Sequence, residues 1–238
     1  MQVFFPEVSF NISAMPKSKS APLLVIVIAI LVAGGIAVYL SRQGSAPSSA
    51  DGKNEAADPS VPQQPGGGRI RGAADAPVTL LEYGDYQCPT CALYHPVLME
   101  LLSRYSGKLK LEYHHFPLIE IHPNAMGAST AAEAAADQGK FWEMHDLLYE
   151  HQAEWSKNPN AEAMFLQFAL QLGLDSNRFM QSMRAPATRD RILADVTRGV
   201  PVVKGTPTFV INGQPIPDLV GLEGLADHID RQLAALGK

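Results

Sequence analysis

One short element narrows the possible folds of this chain more than any other. Cys88-Pro89-Thr90-Cys91 holds its only two cysteines and stands at the seam between a strand pattern and a helix pattern. Upstream, Val78-Thr79-Leu80-Leu81-Glu82-Tyr83 reads as a strand, bounded by Asp75-Ala76-Pro77 and by Gly84. Downstream, Pro89 through Tyr105 reads as a helix in which Leu93, Val97, Leu98, Leu101 and Leu102 have the spacing of one buried face, with Ser106-Gly107 ending it. No cysteines remain for a disulfide framework, so packing must hold the chain together. Its 46% hydrophobic content is enough for a sizeable core.

Disulfide exchange needs an accessible thiolate, a second thiol nearby and a means of lowering the first pKa. If the helix begins at Pro89, Cys88 lies at its N-terminus, where unpaired N–H groups and the helix dipole stabilise a sulfur anion. Pro89 suits the first helical position, where its missing donor costs nothing. Cys91 then sits one turn deeper on about the same face. The competing readings of the pair are weaker. A passive disulfide over so short a loop gains little chain entropy. Zinc wants four ligands, so a histidine from elsewhere or a second subunit would have to complete the site. Haem attachment fails because Ala92 stands where a CxxCH motif needs histidine.

The remaining order is an α/β plan with a helical insertion. In the strand 109–116, Leu109, Leu111 and Tyr113 alternate with Lys110, Glu112 and His114, and Pro117 closes the run. From about 123 to 199 the pattern is helical, divided by Gly139, Gly173 and Gly199. Thr208-Phe209-Val210-Ile211, the turn Asn212-Gly213 and Gln214-Pro215-Ile216 predict a hairpin. Residues 222–236 predict a final amphipathic helix.

The N-terminal part has a different character. Residues 23–40, LLVIVIAILVAGGIAVYL, form an uncharged run at the lower limit for a spanning helix. Lys17 and Lys19 before it favour an inside N-terminus, making 1–22 cytoplasmic. A cleaved signal is the rival reading, with Ser48-Ser49-Ala50 as its site about ten residues beyond the run. Either way the rest is exported, which places the domain on the periplasmic side of a bacterial inner membrane. Met15 is an alternative start. Residues 41–69 are rich in Ser, Pro, Gly and Gln and read as a flexible linker with a reach of about 30 Å, leading into a domain over 70–238. The formal charge of -5, without a basic cluster, argues against nucleic acid as a partner.

From about Gly72 to Leu236 the chain resembles the DsbA-like branch of the thioredoxin-fold oxidoreductases. The matching segments are DAPVTLLEYGDYQCPTC, HHFPL, GKFWEMHDLLYEHQ and GTPTFVINGQP. The resemblance implies a thioredoxin-like fold with an inserted helical subdomain, and exported proteins carrying thiols or disulfides as substrates. It further implies a membrane redox partner that recycles the cysteines, and no cofactor. It carries a cis peptide bond and a substrate-backbone role to Thr206 and Pro207. To Glu82 it carries the place of a buried acid beneath the cysteines, which could take the proton of Cys91. Burial cannot be read from the sequence, so a solvent-facing Glu82 stays open. The chain departs from the pattern at Thr90, where the strongest oxidants carry histidine. Less thiolate stabilisation follows, and the direction of exchange stays open between a dithiol oxidase, the leading reading, and a reductase or isomerase. A tethered chaperone with incidental cysteines is the non-enzymatic alternative.

Other features read as structural. Asp85 caps a turn. His114, His115 and His122 lack metal-ligand spacing, and the first two point to opposite faces of their strand. Phe141, Trp142, Leu147 and Leu148 read as core, and the run Ala131–Ala136 as a surface for close helix packing. Glu133 and Asp137 read as an exposed, charged helix face.

Overall fold

The computed structural model describes residues 68–217 and 220–238. The predicted N-terminal segment, the apolar run 23–40 and nearly all of the linker lie outside the described residues. Among the described residues no helix is long and apolar enough to cross a membrane.

The cysteine motif joins β2 (Val78–Gly84) to α1 (Pro89–Arg104), and β3 (Leu109–His115) follows, pairing parallel with β2. This β–α–β unit is the centre of a five-stranded sheet ordered β1-β3-β2-β4-β5. β1 (Arg69–Gly72) adds antiparallel to β3, a strand the sequence reading did not separate from the start of the domain. On the other side β4 (Thr208–Ile211) runs antiparallel to β2, and β5 (Gln214–Pro215) completes a hairpin. Its turn residues Asn212 and Gly213 have φ of 46° and 81°, the left-handed geometry that an Asn-Gly turn supplies. α8 (Gly221–Ala235) closes the domain.

Between β3 and β4 lies the helical block. It comprises α2 (Ala125–Ala136), α3 (Phe141–Glu150), α4 (Gln152–Trp155), α5 (Ala161–Gln171), α6 (Ser176–Arg184) and α7 (Pro186–Gly199). Gly139 and Gly173 carry positive φ at two of its breaks, as their place in the pattern predicts. One cluster gathers Val78, Leu80, Leu109 and Leu111 of the sheet with Leu98, Leu101, Leu225 and Ile229. The other unites the alanines of α2 with Phe141, Leu148, Trp155 and Phe165, and reaches Cys88 and Cys91.

Two sequence expectations are corrected. Leu93 is 72% exposed, and α1 instead buries Cys91, Tyr94, His95, Leu98 and Leu101. Counted from Cys91, steps of three and four residues trace that stripe, whereas Leu93 falls about 200° away. Glu133 is buried, not solvated: its carboxylate binds Arg69 at 2.9 and 2.6 Å, Arg191 at 2.5 Å and His115 at 3.2 Å. Burial alone would raise its pKa, but hydrogen bonds from His115 and Arg69 hold it well below the usual carboxylate range. The helix pattern hid this because its partners come from β1, β3 and α7.

Candidate functional site

The loop before α1 is fixed largely through its backbone. Asp85 is fully enclosed; one carboxylate oxygen accepts the Gln87 N–H at 2.7 Å, and the other accepts the Leu118 N–H at 2.9 Å and lies 2.7 Å from His122 Nδ1. The turn cap read from the sequence therefore also ties the loop after β3 to the motif. From the helical block, Gln152 donates to the carbonyls of Tyr86 and Cys88 at 2.7 and 2.9 Å. Gln87 accepts the Asn124 N–H at 2.6 Å and donates to the Ser156 carbonyl at 2.6 Å. Sequence reasoning missed Gln87 and Gln152, whose partners lie far along the chain and leave no local signal.

Cys88 is the N-cap of α1, with extended backbone angles (φ −70°, ψ 120°), and Pro89 opens the helix. The Cys88 carbonyl accepts the Ala92 N–H at 3.2 Å, so the sulfur stands beside the first turn with its free N–H groups. Both cysteines are free thiols, Cys88 7% exposed and Cys91 fully buried. Cys88 Sγ donates to the Thr206 carbonyl at 3.3 Å. The Thr206–Pro207 peptide is cis, as expected from the resemblance.

The two thiols have opposite electrostatics. A hydrogen bond from the Cys91 thiol, helped by the Thr206 side chain and the N–H groups of Cys91 and Thr90, outweighs burial and brings the Cys88 pKa down to about 5. The Thr206 hydroxyl is buried and otherwise unpartnered, so it can turn its proton to the sulfur on ionisation. Burial, donation to Cys88 and the nearby Glu82 charge push the Cys91 thiol well above its ordinary value. One thiol is built to be an anion, the other to stay protonated.

Glu82 lies on the inward face of β2, in the alternation Val78, Leu80, Glu82, and opposite Tyr113 of β3 and Phe209 of β4. At 1% exposure it does not face water, and neither carboxylate oxygen has a hydrogen-bond partner. Burial first, and then the charge of Cys88, raise its pKa to about 8. The predicted residues thus converge: Cys88 beside the half-buried Thr206 and the buried Pro207, Cys91 and Glu82 enclosed, with Pro89 exposed and Thr90 half-buried next to them. A cavity of about 320 Å³ adjoins them, lined among others by Lys204, Thr206, Pro207, Phe209 and Ile216. The three histidines noted in the sequence go elsewhere: His114 to Asp195 and Glu112, His115 to Glu133 and His122 to Asp85.

Residues 64–231 match the thioredoxin family. Among solved structures, a thioredoxin-like oxidoreductase from Silicibacter pomeroyi DSS-3 is 27% identical, with a TM-score of 0.61 over 71% of this chain and 92% of that one. BdbD from Bacillus subtilis, in its oxidised form, is 20% identical with a TM-score of 0.63 over 71% and 94%. DsbA1 from Wolbachia pipientis is 19% identical with a TM-score of 0.62 over 70% and 90%, so this fold is DsbA-like. Among curated relatives, the Na(+)/H(+) antiporter NhaA 1 of Salinispora arenicola is 41% identical over 175 residues, which are 73% of this chain and 26% of that protein. NhaA 3 of Salinispora tropica is 43% identical over 155 residues, 65% of this chain and 23% of that protein. The chain spans about a quarter of the length of these relatives.

Proposed function

The chain belongs to the thioredoxin family, and from that premise we propose that it is an extracytoplasmic thiol:disulfide oxidoreductase that oxidises exported dithiol proteins through Cys88 and Cys91. The observation that carries the reading is the Cys88 thiol, held at a pKa of about 5 at the start of α1. Thiols of this motif range from about 7 in thioredoxin to about 3.5 in DsbA. A value of about 5 falls between them. The better an anion is stabilised, the better it leaves and the more oxidising its disulfide. The missing histidine at Thr90 fits a value that stops short of the extreme.

In the oxidising cycle a substrate thiolate attacks Cys88 Sγ of the Cys88–Cys91 disulfide, and Cys91 leaves as a thiolate. Its raised pKa makes it take up a proton, which neutral Glu82 can supply. A second substrate thiolate then attacks the substrate sulfur of the mixed disulfide. Cys88 departs as the stabilised anion, the substrate disulfide forms, and two electrons have passed to the cysteine pair. A membrane redox partner removes them. Thr206 and Pro207 hold substrate backbone beside the sulfur, next to the cavity. The apolar run 23–40 supports a membrane tether with the domain on the periplasmic side. The antiporter relatives support a membrane setting as well, since they hold a region similar to this domain within much longer chains.

The reduction potential, measured by equilibration with glutathione buffers, tests the direction. A value well above about −270 mV, that of thioredoxin, is expected, and a value near it would make the protein a reductase or isomerase. Full activity of a Cys88→Ser chain in cells would remove the redox reading altogether and leave the tethered chaperone.

A further inference from the structure

Below the cysteine pair, three side chains that the exchange chemistry does not use converge: His95, one turn below Cys91 on α1, with His145 and Asp146 of α3. One ligand atom from each lies within 4.8 Å of the others, the single such trio among the described residues. We propose that His95, His145 and Asp146 bind a divalent transition-metal ion of the zinc class.

The orphaned nitrogens carry the argument. His145 Nε2 and His95 Nδ1 are buried without hydrogen-bond partners, a costly state for polar atoms in a packed interior. The other nitrogen of His145, Nδ1, lies 3.0 Å from the Tyr86 hydroxyl. If Nδ1 carries the proton and donates it to Tyr86, the Nε2 lone pair is left free, which is how metal-bound imidazoles are oriented by an outer partner. Two histidines and a carboxylate with a fourth position for water form a set that zinc accepts.

Arg71 is the competitor for the carboxylate. Its guanidinium grips both Asp146 oxygens at 2.7 and 2.6 Å, while Oδ1 stands 3.6 Å from His95 Nε2. Metal–ligand bonds of about 2.0–2.1 Å draw the trio inward by roughly 1 Å and take Asp146 from Arg71. Arg71 keeps other contacts, with Met99 Sδ at 3.0 Å and the Trp142 ring at 5.2 Å. Because Tyr86 belongs to the loop that carries Cys88, and Gln152 holds the carbonyls of both, an ion here stiffens the mounting of the nucleophile.

The test is a calorimetric Zn²⁺ titration of the full-length, untagged chain with its disulfide closed, which removes the thiolates as ligands. One Zn²⁺ per chain is expected. His95→Ala and Asp146→Asn each weaken binding at least about 100-fold, and Tyr86→Phe about 10-fold. Arg71→Gln keeps every ligand and removes the competitor, so it tightens binding. Co²⁺ in place of Zn²⁺ gives a visible absorption band that His95→Ala lacks. The assignment is overturned by a parent chain that takes up no Zn²⁺, by binding indifferent to His95→Ala and Asp146→Asn, or by weaker binding in Arg71→Gln.

Discussion

Glu82 shows how a single position can be both readable and hidden. The alternation along β2 fixes which face it shares with Val78 and Leu80, but only the assembled sheet shows that Tyr113 and Phe209 shut out water. A carboxyl whose pKa rises from 4.5 to about 8 on folding costs nothing at low pH and costs progressively more as pH climbs between those values. At pH 7 the penalty is about 3 kcal/mol. Urea unfolding of the reduced protein should therefore show Glu82→Leu gaining on the parent as pH rises from 4 to 8, while its stopped-flow exchange with a dithiol peptide slows. If the gain does not vary with pH, the carboxyl is not buried in its acid form. At Thr90 the sequence alone identifies the lever. Thr90→His adds positive charge beside the sulfur, so thiolate absorbance near 240 nm should titrate at lower pH, and the glutathione equilibrium should move toward a more oxidising disulfide.

Among the elements, β3 and α7 are joined by charge that local periodicity could not reveal. His114 and His115 do point to opposite faces of β3, but both faces are covered there, by Asp195 of α7 and Glu133 of α2. Burial alone would depress the His114 pKa; hydrogen bonds to Asp195 and Glu112 instead raise it from 6.5 to about 9. A base with a raised folded pKa contributes its stability in full below 6.5 and loses it as pH passes 9. Alkaline titration should thus weaken the parent over that window, and an Asp195→Asn chain should be flatter across it. Glu133 is the heavier junction, because its loss strands Arg69 and His115 together, while Arg191 keeps its pair with Asp137 at 3.0 Å. Glu133→Ala should destabilise by about 3–5 kcal/mol in denaturant unfolding, the range for one partner removed from a buried pair. Loss within 1 kcal/mol would mean that the network reorganises around water. The alanine run, by contrast, was legible: small side chains at every turn permit close packing, and α2 is enclosed on nearly all sides.

For the molecule as a whole, the order of strands and helices could be read because the strand–CxxC–helix unit, the Asn-Gly turn and the glycine breaks each act over a few residues. The edge strand β1, the frame of Gln87 and Gln152 and the exposure of Leu93 could not be read, since each depends on chain segments brought together only by folding. Ionisation of Cys88 couples redox state to global stability. Its depressed pKa favours the folded dithiol by about 2 kcal/mol at pH 7, an advantage that fades as pH falls through 5. Thermal unfolding at pH 7 should give a higher Tm for the reduced than for the disulfide form, and the gap should narrow as pH is lowered towards 5. The carbonyl that receives the Cys88 thiol belongs to a residue 118 positions later in the chain. A chain emerging from the ribosome therefore exposes its two thiols before the Thr206–Pro207 segment is made. Throughout that interval both sulfurs lie open to oxidation or cross-linking that the finished fold forbids to the buried Cys91.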